Sequence, residues 1–194
     1  MIVFPDADLD KAASDAVVGA YANSGQVCSA SSLLFLHEDI REEFLVRLTD
    51  MSKKLTIGGG MDDRDLGPLA SSEQYDRVRS FLDGASDQGM RVLFGGGRPS
   101  HMDRGYFIEP TLIECPDLGQ PIARQEVFGP VAVVIAFAEQ ETVVETSRQR
   151  HTVHRILRHA LHPHPDRRRL YFRDDLIGVG GWRSPPDLYL GKGQ

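Results

Sequence analysis

Pro130-Val131-Ala132-Val133-Val134-Ile135-Ala136-Phe137 is an unbroken apolar run rich in β-branched residues. It suits a central strand, where branched side chains pack well on the pleated surface. Working outward from it, Arg91–Phe94 reads as another strand, closed by Gly95–Gly97, and Ser32–Leu36 as a short buried one. The segments between them follow a helical period. Asp6 or Asp8 can cap a helix whose apolar face is Leu9, Ala12, Ala13, Ala16, Val17, Ala20 and Tyr21, with Gly25 ending it. Asp39 is placed to cap a second helix carrying Phe44, Leu45, Leu48, Met51 and Leu55, stopped by Gly58–Gly60. Glu73–Gln88 makes a third, with Val78, Phe81, Leu82 and Ala85 on one side. Strands separated by helices predict an α/β fold: a mostly parallel sheet with flanking helices. Neither glycine triplet fits a phosphate-binding pattern, and each follows an element that must stop, so both are read as turns.

The alternation holds to about residue 145. Residues 1–145 carry 12 Lys/Arg and 24 Asp/Glu, a net −12, whereas residues 146–194 carry 10 Lys/Arg and 4 Asp, a net +6. Half of the arginines and five of the seven histidines fall in that last segment. Its sequence, TSRQRHTVHRILRHALHPHPDRRRLYFRDD, has no clean helical or alternating pattern, so a disordered or irregular basic tail is expected. His151, His154, His159, His162 and His164 lack a Cys or carboxylate at ligand spacing, which argues against a zinc site. The arginines lack aromatic interleaving or a basic helical stripe, which argues against a nucleic-acid tail. No apolar run reaches roughly 18 residues, so no membrane span is expected, and the N-terminus has no signal-peptide profile. Two cysteines, Cys28 and Cys115, make no disulfide framework and favour a reducing, cytoplasmic setting.

Cys28 stands apart from an ordinary buried cysteine because it follows the turn Asn23-Ser24-Gly25-Gln26-Val27. A thiol placed just past a helix can sit beside free backbone N–H groups, which favour the thiolate and provide an oxyanion site. That is the arrangement of a covalent nucleophile acting on a carbonyl.

The stretch Tyr21–Cys28, YANSGQVC, resembles the active-site cysteine signature of the aldehyde dehydrogenase superfamily. Ile2–Leu9 is similar to the segment before that signature, and Leu66-Gly67-Pro68-Leu69 with Gln74 and Arg77-Val78 to the family's GPL…Q…RV stretch. Gly105–Leu112 resembles its GYF-x-x-PT stretch, and Glu126-Val127-Phe128-Gly129-Pro130-Val131 its E-[VI]-F-G-P motif. The five stand in family order over residues 2 to about 145. The resemblance implies a partial catalytic domain over 1–145, with 146–194 outside the family. It implies Cys28 as nucleophile, its own N–H donating to the oxyanion, an aldehyde as substrate, and NAD or NADP as cofactor. Glu126 would bind the nicotinamide ribose hydroxyls and Phe128 would pack against the nicotinamide end. Those roles suit the chemistry, since a carboxylate accepts from two hydroxyls and an aromatic ring fixes a flat one. Cys115, between Glu114 and Pro116, reads as packing or a loop thiol.

The resemblance also predicts what these residues do not contain. The general-base glutamate, the asparagine of the oxyanion hole and the dinucleotide-binding domain belong before Ile2, so about half an enzyme is expected, inactive alone. Leu33 stands where the family commonly has Arg, five residues after the cysteine, which could leave a buried carboxylate unpaired. Arg148–His154 permit codons that, shifted by one nucleotide, spell ANGTPYT, and His162–Arg167 similarly permit IHTRT; both are family-like, and a frameshift is the preferred account of the tail. The alternative is a non-catalytic subunit that docks on a complementing N-terminal chain. Partners are therefore a small aldehyde, and either further copies of the chain or that complementing chain, with no nucleic acid and no membrane.

Overall fold

The computed structural model describes residues 1–148. Five strands form one sheet in the order β1-β2-β5-β4-β3, where β1 is Ile2–Val3, β2 Leu33–His37, β3 Arg91–Phe94, β4 Thr111–Glu114 and β5 Val131–Phe137. The β1–β2, β2–β5 and β4–β5 pairs are parallel and β3–β4 is antiparallel. The apolar run read as a central strand lies at the centre, with Leu33 opposite Val133 and Phe35 opposite Ile135.

Five helices flank the sheet: α1 Leu9–Tyr21, α2 Glu38–Ser52, α3 Ser72–Asp87, α4 Pro121–Arg124 and α5 Gln140–Arg148. Because side chains alternate along a strand, the parallel strands feed two cores. Leu34, Leu36, Ala132 and Val134 pack with the buried faces of α1 and α2, including Ala12, Ala16, Phe44 and Leu48. Leu33, Phe35, Val131, Val133 and Ile135 pack with Val78, Leu82 and Ala85 of α3 and Ile122 of α4. Each fully buried Leu or Phe contributes about 1.5–3 kcal/mol, so the two cores hold the sheet between two helical layers.

Helix termini show where local signals compete. Asp8 caps α1, its carboxylate accepting from the Lys11 N–H at 3.1 Å, and Ser71 caps α3 through the Gln74 N–H at 3.2 Å. Asp39 does not cap α2. That helix starts two residues earlier, at Glu38, and the His37 ring nitrogen Nδ1 accepts from the Asp39 N–H at 3.2 Å. The second helix also ends at Ser52, well before Gly58–Gly60. The chain turns there because Ile57 forms a parallel bridge with Leu66, drawing Leu55 and Ile57 back onto the α1–α2 core. β1 and β4 were not legible as strands: one has two residues, and the other directly follows Pro110. The 146–194 segment lies outside the described residues beyond Arg148.

Candidate active site

Residues 22–25 form a 3₁₀ turn between α1 and β2, and its backbone is unusual. Asn23, Ser24 and Gly25 take φ values of 50°, 55° and 70° in succession. The left-handed region costs a residue with a Cβ about 1–2 kcal/mol, so the turn persists only because its surroundings fix it. Ser24 is buried and its hydroxyl donates to the Gly67 carbonyl at 2.8 Å. The Asn23 amide donates to the Gln26 carbonyl at 3.2 Å, and the Ala70 N–H donates to Gln26 Oε1 at 2.9 Å. A turn closed by Ala30 N–H to Val27 O, 3.0 Å, then carries Cys28, whose side chain is exposed. Among the described residues, the Cys28 N–H donates to no protein acceptor.

The second predicted segment meets this turn directly. A Cβ added to Gly25 would overlap the carbonyl of Gly129, and its positive φ further restricts the position to glycine. The backbone three residues before Cys28 is thus pressed onto the backbone one residue after Phe128. Glu126 is exposed and Phe128 half-buried on that loop, and Phe128 itself has a φ of 58°. Arg77 donates to the Glu126 carbonyl at 2.8 Å, and the Gln74 amide donates to the Val127 and Phe128 carbonyls at 2.9 and 2.7 Å.

The remaining motifs complete the same cluster. The Leu69 N–H donates to the Tyr106 carbonyl at 2.9 Å, joining the GPL and GYF segments. The Thr111 N–H donates to Pro130 O at 2.8 Å, and the Tyr21 hydroxyl to Thr111 O at 3.0 Å. Cys28, Gly105–Pro110 and Glu126–Pro130 all lie just before parallel strands, so the loops gather at the amino ends of β2, β4 and β5. Ligands of open parallel sheets usually bind beyond the carboxyl ends, so topology alone points to the other edge. Sequence inspection also missed Ser24, Gln26 and Gln74 as the side chains that hold these loops. The signal available was their recurrence inside the motifs; which atoms they grip is a matter of tertiary contact.

Leu33 stands where the family's arginine was expected. It is buried with Phe35, Val131 and Val133, and the buried polar side chains among the described residues are Ser24, Ser52 and Thr111. Among the described residues no carboxylate is buried. Cys115 is a packing thiol, as expected: it is buried after β4, its Sγ donates to the Asp117 carbonyl at 3.1 Å, and burial pushes its pKa up. Among the described residues no group of three or more metal-ligating side chains occurs, and the histidines of the tail lie outside them. No described helix is long and apolar enough to cross a membrane.

Residues 1–150 match the model of the aldehyde dehydrogenase family. The chain belongs to that family. Aminoaldehyde dehydrogenase ALDH10A8, chloroplastic, of Arabidopsis thaliana is 42% identical over 152 residues, and betaine aldehyde dehydrogenase 1 of Oryza sativa subsp. japonica is 43% identical over the same length. Each comparison covers 78% of this chain and 30% of the relative. The aldehyde dehydrogenase fold is equally clear in solved structures. Betaine aldehyde dehydrogenase from Staphylococcus aureus, in complex with NAD+, superposes with a TM-score of 0.72 at 37% identity, covering 75% of this chain and 30% of that one. The chain therefore spans about 30% of the length of these family members, less than the half expected from its motifs.

Proposed function

We propose that this chain carries the thiol and the nicotinamide-side contacts of an NAD(P)-dependent aldehyde dehydrogenase. The observation that carries the reading is the backbone contact between Gly25 and Gly129, which fixes the Cys28 turn against the Glu126–Phe128 loop. Cys28 is exposed on a turn held from three sides, as a nucleophile requires. Its thiolate attacks the aldehyde carbon, forming a C–S bond as the carbonyl π pair moves to oxygen. The Cys28 N–H donates to that oxyanion.

The Glu126 carboxylate and Phe128 ring suit a ribose diol and a flat heterocycle, since both side chains project from one short loop whose carbonyls are already occupied. A bound nicotinamide cofactor would accept the hydride that leaves the former aldehyde carbon, giving a Cys28 thioester that water hydrolyses to the carboxylate. The 194 residues contain no counterpart of the family-like general-base motif, so we infer that the chain acylates at Cys28 but does not turn over aldehyde by itself. The relatives' names direct the choice of test aldehydes to amino- and betaine aldehydes.

The decisive experiment treats the purified chain with an activated acyl ester and locates the adduct by mass spectrometry. A thioester on Cys28, lost in Cys28→Ala, is expected, while NAD with an aldehyde gives no growth of NADH absorbance. Acylation that survives Cys28→Ala would sink the nucleophile assignment, and NADH formation would sink the inference of inactivity. The second reading, a subunit completed by a separate chain, is favoured by the unpaired outer edges of β1 and β3 among the described residues. Co-expression with the amino-terminal portion of a relative tests it: co-purification with restored oxidation supports it, and no association argues against it. The two unpaired cysteines favour a cytoplasmic setting.

A further inference from the structure

We propose that Thr56 and Asp65 clamp the neck of the 57–64 loop, and that Asp65 is a positioning residue for Cys28, acting through the backbone at Gly67. The two residues stand nine apart and bond each other reciprocally. The Thr56 N–H and hydroxyl donate to one Asp65 oxygen, Oδ2, at 2.7 and 2.6 Å, and the Asp65 N–H donates back to Thr56 Oγ1 at 3.2 Å. Backbone bonds extend the pairing: the Leu66 N–H donates to the Thr56 carbonyl and the Gly58 N–H to the Leu66 carbonyl, each at 3.0 Å. One oxygen taking two donors suits an ionised carboxylate. The Thr56 hydroxyl, and after it the Thr56 N–H, hold the Asp65 carboxyl below its usual pKa.

Thr56 and Asp65 are exposed, yet the next residue, Leu66, is buried in the core beneath α1 and α2. A clamp at the surface thus sets where the chain enters the core. The link to the Cys28 turn lies one residue further on, where the Gly67 carbonyl accepts from the Ser24 hydroxyl at 2.8 Å. Ser24 is buried and left-handed, with φ of 55°. A shift of Gly67 would leave that hydroxyl buried without its acceptor and release a strained backbone. The Ala70 N–H then reaches Gln26 Oε1 at 2.9 Å, so the 66–70 segment runs along the turn like a rail. On the other side of the clamp the loop tip closes on itself. The Asp62 carboxylate accepts from the Gly59 N–H at 2.8 Å, and the Asp62 N–H donates to the Gly59 carbonyl at 3.0 Å. The clamp separates that glycine-rich tip from the rail. Asp65 touches neither thiol nor substrate in this account.

The inference rests on the reading of Cys28 as nucleophile for the purpose of the clamp, though not for its existence. The test uses the full chain and reads two rates at Cys28 by mass spectrometry: acetylation by p-nitrophenyl acetate and alkylation by iodoacetamide. In acetylation the thiolate adds to the ester carbonyl, and the Cys28 N–H meets the oxyanion before p-nitrophenolate leaves with its electron pair. Alkylation needs only an exposed thiolate. Well below their melting midpoints, Thr56→Val and Asp65→Ala are expected to slow acetylation about fivefold and to change alkylation by less than about twofold. Thr56→Ser, which keeps the hydroxyl, is expected to restore the parent rate. Ser24→Ala should slow acetylation likewise, and Thr56→Val added to it should have little further effect, because both act through Gly67. Deuterium exchange in a peptide spanning 22–31 is expected to accelerate about fivefold in Thr56→Val and Asp65→Ala. Gly60→Ala, at the loop tip with nothing within 4 Å of its added Cβ, is expected to change none of these. Equal slowing of both rates, full additivity with Ser24→Ala, or unchanged exchange in 22–31 overturns the proposal. So does a lowered melting midpoint with an unaltered ratio of the two rates, the signature of a purely structural pair. If Cys28→Ala leaves acetylation of the chain intact, the nucleophile reading fails, and the exchange of 22–31 alone then decides the clamp.

Discussion

The two cysteines sit in opposite kinds of structure. Cys28 is exposed on a turn whose preceding residues are left-handed and held by their own side chains, Ser24 and Gln26, bonded to backbone groups of Gly67 and Ala70. Cys115 is buried immediately after a regular strand, its thiol pushed toward the neutral form by the apolar surroundings. The same side chain is offered to solvent in one place and withdrawn from it in the other. The difference comes from backbone geometry, not from composition. Around Cys115 the strand ladder satisfies the backbone, and the apolar core supplies the energy. Around Cys28 the backbone is strained and is held in place by the Ser24 and Gln26 side chains, which bond the Gly67 carbonyl and the Ala70 N–H, and by the close approach of Gly25 to Gly129.

The largest expected effect breaks or confirms that contrast directly. Timed alkylation of the native chain should modify Cys28 without any opening of the fold, since it is exposed. Cys115 should lag by about 10³-fold or more, since it reacts only through opening of a stable domain. Mass spectrometry of the two peptides measures the ratio. Comparable rates would mean that Cys115 is accessible without unfolding, and the contrast would be lost.

Next in size is Gly25→Ala. The new methyl would meet the Gly129 carbonyl at a position whose φ already disfavours it. Because the obstacle is backbone, relief requires one loop to move, and a loss of about 3 kcal/mol or more in unfolding free energy is expected. Denaturant melts would measure it. Gly60→Ala is the matching control, since nothing lies within 4 Å of its added Cβ. Equal costs at the two glycines would remove the proposed contact between the Cys28 turn and the 126–129 loop.

Much of this was legible beforehand, for reasons that can be named. The run at 130–137 identified the central strand because eight apolar residues without a charge have few other places to go. The face of α1 was legible because its alanines and Tyr21 keep a helical period, and all six of the buried residues on it were in that pattern. The motifs located the loops that now cluster. Their convergence was not legible, since Gly25 and Gly129 are separated by more than a hundred residues and nothing local records their contact. The cap of α2 was misplaced because His37 competes with Asp39, and a histidine nitrogen can accept an N–H as a carboxylate does. The antiparallel β3–β4 pair was hidden for a related reason: the connection between them is too long for hairpin turn chemistry to announce it.

Alkaline titration sharpens the contrast further. Burial raises the folded-state pKa of Cys115, and burial raises that of Tyr21 far more, with a smaller opposing effect from Ser52. Both groups are neutral when protonated, so the unfolded chain releases their protons at lower pH than the folded one. Their contribution is fully present below the unfolded thiol value of roughly 8.5 and is lost as pH rises through the folded values, with the phenol's part beginning near roughly 10. Unfolding midpoints should therefore decline above that range, and Cys115→Ala should flatten the first part of the decline. A profile that Cys115→Ala leaves unaltered would show that burial is not what distinguishes this thiol.

The smallest effect tests the connection between the two regions. Tyr21 closes α1 just ahead of the Cys28 turn, and its hydroxyl donates to Thr111, which opens the strand leading to Cys115. Removing that hydroxyl in Tyr21→Phe leaves the buried ring in place and deprives one buried carbonyl of a donor. The expected cost is about 1–1.5 kcal/mol, read from denaturant midpoints. Through the opening equilibrium, the same loss should speed alkylation of Cys115 by about tenfold, since global unfolding is its route to reagent. Cys28 is already exposed, so its rate should not change. If Cys28 accelerated as well, the hydroxyl would be restraining the turn itself, and Tyr21 would belong to the strained region and not to the core beneath it.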